Sequence, residues 1–464
     1  MSSYNFLRCD REQQMLLPPS VGEWLEQDHV AWTVIDAVGQ FDLAPFLAGY
    51  RVDGRGGAAF DPRMMVALLL YAYCVGERSS RKIERQTRTD VAFRVICANQ
   101  LPDHVTICRF RKTHKERLKH LFLEVLRLCA EAGLVNVGTV ALDGRKVGAD
   151  AALSANRTLG GIDAEIERMF DEAEAVDAVE DGLLGDQRGD EVPDEMRDPR
   201  SRLARLARAK QDLEQRAQAR HDAHEQHLAE RTARERASGR KLRGRKPKAP
   251  DEKAGAKPDK ANTTDPDSRV MSTRKGYIQG YNAQAVATTG QIVIASHVTQ
   301  DATDYDQLHP MIEQAAENIA RVGIDDKIEA ALADAGYASM ANFEAIADDG
   351  PEFYVATENR HRARERQLAG IDEPPPPNDD DDDPDDDPGR TARKQMQRKM
   401  QTEQGKQKYR QRCSTIEPVF GQHLTVNGLD TFMMRGLDSA NAEFHLINAA
   451  HNLNKYHRAT RQAA

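Results

Sequence analysis

The chain lacks the features that hold secreted or membrane proteins together. Its six cysteines (Cys9, Cys74, Cys97, Cys108, Cys129, Cys413) are scattered with no CxxC pair, which argues for reduced thiols and against a disulfide frame or thiolate zinc site. Long apolar runs are missing: the longest, Met64 to Val75 (MMVALLLYAYCV), covers 12 residues, too few to span a bilayer. The first residues, MSSYNFLRCDRE, contain no apolar signal-peptide core. The expected setting is therefore cytoplasmic, with no membrane partner. Hydrophobic residues are 39% of 464 and mean hydropathy is -0.68. That is low for one compact globule, so solvated segments are expected to dilute the folded part.

A uniform charge is missing too. The net charge of -9 is concentrated in residues 371–390, which hold ten acids against Arg390. Residues 200–248 hold sixteen Lys/Arg against six Asp/Glu, so an acidic average does not exclude a nucleic-acid partner.

Patterning divides what remains. Residues 1–134 are expected to form a helical N-terminal, DNA-binding domain. Asp61-Pro62 starts a helix before MMVALLLYAY, Ser79 and Ser80 can cap RKIERQTR, and a third segment follows Pro102-Asp103. Arg109, Arg111 and Lys112 on that segment suit a helix-turn-helix contacting DNA, although a bundle with a charged outer face has the same pattern. Residues 135–150 (VNVGTVALDG and onward) are expected to give the first strand of a catalytic core, ending in an Asp-Gly turn.

Residues 151–270 are expected to be an insertion, helical at first, then basic and disordered. Within it, Arg243 and Arg245 of RGRKPK suit a narrow minor groove, or simply a basic linker. His221, His224 and His227 share a helix face, either as solvated side chains or as a metal site. The core resumes over 271–370: YNAQAVATTGQIVIASHVTQ as two strands around Thr-Thr-Gly, then helix, strand, helix and strand. Residues 371–395 form an acidic disordered loop, either a solubilising linker or a DNA mimic, and 396–464 return as helices. This order of elements matches an α/β, ribonuclease-H-like (retroviral-integrase-like) core.

Three acids fall at informative places: Asp143 and Asp334 at strand ends, and Glu417 at a helix start. Each alone has a plain reading, two as turn residues and Glu417 as part of a Ser414-to-Glu417 capping box. In such a sheet the first and fourth strands are neighbours and a later helix covers their ends, so the three would meet. Oxygen-only ligands of this kind suit a pair of Mg²⁺ or Mn²⁺ ions that activate water or a 3′-hydroxyl against a phosphodiester.

These stretches resemble the DDE transposases of bacterial insertion sequences. ALDGRKVGADA is similar to the first-Asp motif, ADAGYAS to the second, and KYRQRCSTIEPVFGQ with RGLDSANAEFHLINAAHNLNK to the Glu region and terminal helix. FDPRMMVALLLYAYCVGERSSRKIERQTR is similar to that family's N-terminal domain. The resemblance implies metal-dependent cleavage at transposon ends and strand transfer into target DNA. The partners it implies are terminal inverted repeats, target DNA and a second copy in a homodimer or larger synaptic complex near the nucleoid. It also implies that Tyr409 and Arg412 contact the transposon end; where a further lysine is expected, seven residues after Glu417, Leu424 stands beside His423. Two alternatives stay open: a ribonuclease-H-like nuclease without strand transfer, and a decayed element protein that only binds DNA.

Overall fold

The computed structural model describes residues 20–50, 59–184, 202–239, 241, 246–249, 258–346, 350–358 and 388–463. The Asp-rich block, Arg243 and Arg245 lie outside them. The described chain is mixed α/β with a helical N-terminal region, and no helix in it is long and apolar enough to cross a membrane.

The N-terminal region comprises α1 (Val30–Gly39), α2 (Ala44–Leu47), α3 (Pro62–Cys74), α4 (Ser80–Thr89), α5 (Val91–Ile96), α6 (His104–Thr113) and α7 (Lys115–Glu131). Asp61 starts α3 as expected: its carboxylate accepts from Arg63 N at 2.8 Å, satisfying an otherwise free helix-end amide, with Pro62 in the first turn. From Met65 to Cys74 every residue of α3 is buried. The third expected segment is two helices, because the chain leaves helical geometry at His114 (φ -106, ψ 19).

The sheet is built from β1 (Thr139–Gly148), followed after the insertion by β4 (Arg269–Thr273), β5 (Gly276–Thr288), β6 (Val293–Thr299), β7 (Ala330–Ala333) and β8 (Glu352–Val355). The insertion leaves and returns through a short ladder of β2 (Asn156–Arg157) and β3 (Ala261–Asn262). Between them run α8 (Leu159–Leu184) and α9 (Arg202–Ser238), which share a small cluster of Ile162, Leu206, Ala209, Leu213 and Ala261. Strands β6, β5 and β1 pair antiparallel, then β7 and β8 add parallel. β4 pairs with the early part of β5.

The Asp-Gly turn expected at Asp143 does not form. β1 continues through Asp143 and Gly144 to Gly148, because β5 pairs with it along that length, with Asp143 opposite Ala285 and Gly144 opposite Gln284. Long-range pairing overrides the local turn preference.

The remaining helices are α10 (Leu308–Arg321), α11 (Met340–Glu344), α12 (Pro388–Gln401), α13 (Glu403–Thr415), α14 (Glu417–Thr425) and α15 (Leu437–Ala463). α10 buries Leu308, Met311, Ile312, Ala315 and Ile319 along one face. α15 packs against α3 and α7 on one side and β6 on the other, so one hydrophobic cluster runs from Ala31 to Leu453. The helical region therefore shares its core with the sheet. Asn441 and Asn452 of α15 each exchange two hydrogen bonds with β6 backbone, at Val298 (2.9 and 3.2 Å) and Val293 (2.9 and 2.8 Å). The exposed groups of an edge strand are thereby satisfied.

His451 lies in this seam, 4% exposed, its Nε2–H donating to Gln291 O at 2.8 Å. Burial holds its pKa down at about 4. The unfolded chain takes up that proton near pH 6.5. Stability from this group is thus full above pH 6.5 and is lost as pH falls toward 4, by roughly 3 kcal/mol at the lower end. Urea unfolding of the parent and of His451→Gln at pH 7 and pH 4.5 tests this: the parent should lose more stability between the two. Equal losses would remove His451 from the account.

Candidate functional site

The three acids reach one cleft by different routes. Asp143 lies within the central strand β1, next to the parallel strand β7. Asp334 is the residue after β7, and its Oδ1 accepts from Gly336 N at 2.8 Å, which fixes the carboxylate over the turn. Glu417 opens α14, with Pro418 in the first turn. The expected Ser414 cap is absent: Ser414 Oγ donates to Gln411 O instead, and Ile416 occupies the cap position. α13 packs across β1, β7 and β8, which carries Arg412 to Asp143 within β1 and to Asp334 just after β7.

Arg412 is the centre of the arrangement. Its side chain is 4% exposed, and its guanidinium lies 2.8 Å from Asp143 Oδ2, 3.8 Å from Asp334 Oδ2 and 3.5 Å from Glu417 Oε1. A planar fork with several donors suits such multiple pairing. Burial pushes the Asp143 carboxyl up to about 6, with Arg412 opposing and Asp334 and Asp304 adding to the rise. Concentrated negative charge is thus held around a single cation. Among the described residues no three His, Cys, Asp or Glu side chains already close into a metal-binding group, His221, His224 and His227 included; the acids converge on Arg412 instead.

The cleft has a volume of about 810 Å³, and Tyr409, one turn before Arg412, lines it. So do Arg145, Lys146 and Arg274, giving the acidic floor a basic wall. Lys146 Nζ donates to Ser272 O at 2.9 Å, tying the β4–β5 hairpin to β1.

The other residues expected to contact DNA are dispersed. Arg109 and Lys112 are exposed on α6, away from the cleft lining. Arg111 corrects the expectation: it is 5% exposed, and its guanidinium donates to Tyr73 Oη (3.2 Å), to Arg78 O (2.8 Å) and to Ser80 Oγ. It fastens α6 to α3 and α4. His423, beside Leu424, is fully buried among Phe420, Phe444 and His451.

Sequence reasoning missed Asp304, Asn282 and Gln284, all drawn to this end of the sheet. Asn282 and Gln284 are polar residues two apart in a strand whose other positions are mostly apolar. That spacing puts both on one face and was the available signal.

Comparison with known proteins agrees with this geometry. A family model described as a transposase domain (DUF772) matches residues 19–113, and one described as a transposase DDE domain matches residues 387–457, which include Tyr409, Arg412 and Glu417. No curated protein and no solved structure matches the chain. Asp143 and Asp334 lie between the two matched segments, so their part in the site rests on the geometry alone. The two matches, to a transposase domain near the start of the chain and a transposase DDE domain near its end, support a DDE-type transposase, an enzyme that acts on DNA.

Proposed function

We propose that this transposase cuts at the ends of its element and joins the freed 3′-hydroxyl to target DNA, with Asp143, Asp334 and Glu417 as its catalytic acids. The observation that carries this reading is their meeting, from two strands and a helix start, on the single guanidinium of Arg412. The strand order β6, β5, β1, β7, β8, with α13 packed against β1 and β7, supports a ribonuclease-H-like core.

DDE transposases generally use divalent metal ions. The donor set fits a hard cation: every candidate ligand is an oxygen, and Asn282 Oδ1, buried in the cleft wall, has no hydrogen-bond partner among the described residues. Asp143, Asp334 and Glu417 would hold Mg²⁺, with Mn²⁺ able to replace it, in a two-ion site. Ions so held lower the pKa of an attacking hydroxyl and neutralise the leaving oxygen.

The chain's own groups do the rest. Arg412 supplies the counter-charge that lets three carboxylates stand together, and its fork matches a pair of phosphate oxygens when DNA enters. Tyr409 positions the strand on the same helix. Arg145, Lys146 and Arg274 offer backbone contacts whose affinity falls steeply with salt. Arg109 and Lys112 of the helical region add exposed positive charge, and a second copy of the chain would bring the other transposon end.

The test supplies a pre-cut oligonucleotide ending in the terminal repeat that flanks the gene, together with a target plasmid and Mg²⁺. Covalent joining of oligonucleotide to plasmid is expected. Hydrolysis without joining would favour a nuclease. End binding with neither reaction would reduce the protein to a binder.

A further inference from the structure

Asp304 lies in the loop between β6 and α10 and faces the same cleft. Both donors that reach it, Asn282 Nδ2 (2.7 Å) and Gln284 Nε2 (2.6 Å), go to Oδ1. The Gln284 amide is itself oriented, because Tyr337 Oη donates to its Oε1. Among the described residues nothing donates to Asp304 Oδ2, and no cation pairs with the group. A Cβ on Gly336 would lie 2.9 Å from Asp334 Oδ1 and 3.0 Å from Asp304 Oδ2, so the two carboxylates close over one bare Cα. A Cβ on Gly144 would collide with Gln284 Nε2 and lie 2.5 Å from Asp304 Oδ1. Glycine at both positions makes room for this acid.

Anchoring the loop does not account for Asp304. Asp301 already ties it, accepting from Thr299 Oγ1 (2.8 Å) and Gln307 Nε2 (3.0 Å), and Asn342 Nδ2 donates to Tyr305 O. Arg412 compensates Asp143, Asp334 and Glu417, whereas among the described residues no cation pairs with Asp304. Like charges so placed are unfavourable unless a cation joins them. Asn282, 1% exposed and lining the cleft, adds its unpartnered Oδ1 beside them.

We propose that Asp304 joins Asp143, Asp334 and Glu417 as a fourth acid of the cation site, its Oδ2 a ligand to a divalent cation held alongside Asp334. This rests on the reading of the cleft as a divalent-cation site. Gln284 and Asn282 act as positioning residues that fix the carboxylate, and Tyr337 fixes Gln284.

Mn²⁺ alone, titrated without DNA into the full chain and followed by loss of the free-ion electron paramagnetic resonance signal, tests this. Asp304→Asn should bind Mn²⁺ about tenfold more weakly or worse, since a charged oxygen ligand is lost. Its thermal midpoint in metal-free buffer should hold, since a like charge has been removed. Unchanged Mn²⁺ affinity in Asp304→Asn but weakened binding in Asp143→Asn would overturn the role of Asp304 alone. Unchanged affinity in both would overturn the reading of the cleft. A second variant asks for direct ligation: Asp304→Cys with Cd²⁺ should add thiolate-to-cadmium ultraviolet absorption over the parent, sulfur being a soft ligand. A folded Asp304→Cys protein without that band would also overturn the proposal.

Discussion

Replacing Asp143 by Asn should lower end cleavage by roughly 10³-fold or more while leaving the protein folded, because a metal-stabilised transition state is worth several kcal/mol. Asn keeps the shape of the side chain and one acceptor oxygen, so pairing of β1 with β5 and β7 need not change. What it loses is the charge at the point where strand, Arg412 and Asp334 come together. Burial already works against ionisation at this position, so the neutral residue removes an unfavourable desolvation as well as an ion pair. The thermal midpoint should therefore move little. Cleavage of end-bearing DNA and thermal unfolding, measured on the same preparation, separate the two effects. A folded variant that cuts at the parental rate would exclude Asp143 from the chemistry, and a variant that fails to fold would show that its charge is structural.

The three acids were legible in the sequence because Asp143 follows an apolar run in β1 while Asp334 and Glu417 stand at element boundaries, and element order brings those stretches together. Asp304 was not legible. Its role depends on Gly144 standing opposite Gln284 in the β1–β5 ladder and on Gly336 lying bare beneath two carboxylates, and neither fact can be read from local pattern. Arg111 was misread for an opposite reason. Arg109 and Lys112, three apart, share the outer face of α6, whereas Arg111 falls on the side turned to α3. The Asp143-Gly144 turn failed because an Asp-Gly pair reports only local preference, and a ladder running to Gly148 outweighs it. The sequence pattern also gave no sign that α15 would sit between helices and sheet. Its asparagines Asn441 and Asn452 are spent on the backbone of β6.

Arg78→Met should destabilise the protein by about 3–5 kcal/mol at pH 7, the cost of stranding one member of a buried ion pair. Arg78 follows α3, and its side chain is 4% exposed. It donates to Glu443 Oε1 of α15 at 2.7 Å and to the carbonyls of Gly428 and Thr431. Glu443, fully buried, also accepts from the backbone amides of Met433 (2.8 Å) and Met434 (3.0 Å). The pair thus fastens the N-terminal helices to the loop and helix that follow the Glu417 region. Without Arg78 the carboxylate keeps two amide donors but no charge-bearing contact of its own, and three acceptors lose their donor. Methionine refills much of the volume, so the loss reports charge and hydrogen bonding more than cavity. Burial already raises the Glu443 pKa, with Arg78 and Arg111 opposing, and deleting Arg78 raises it further. A folded-state carboxyl that protonates above its unfolded value binds the extra proton in the fold, so stability falls as pH rises between the two values. The deficit of Arg78→Met should therefore shrink on acidification toward the unfolded Glu value, and adding Glu443→Gln should recover part of it at pH 7 by removing the stranded charge. Denaturant unfolding of both single variants and the double variant at pH 7 and pH 5 measures the coupling. A deficit independent of pH, with no recovery in the double variant, would mean that the lost carbonyl contacts dominate and that the ion pair contributes little to joining the two regions.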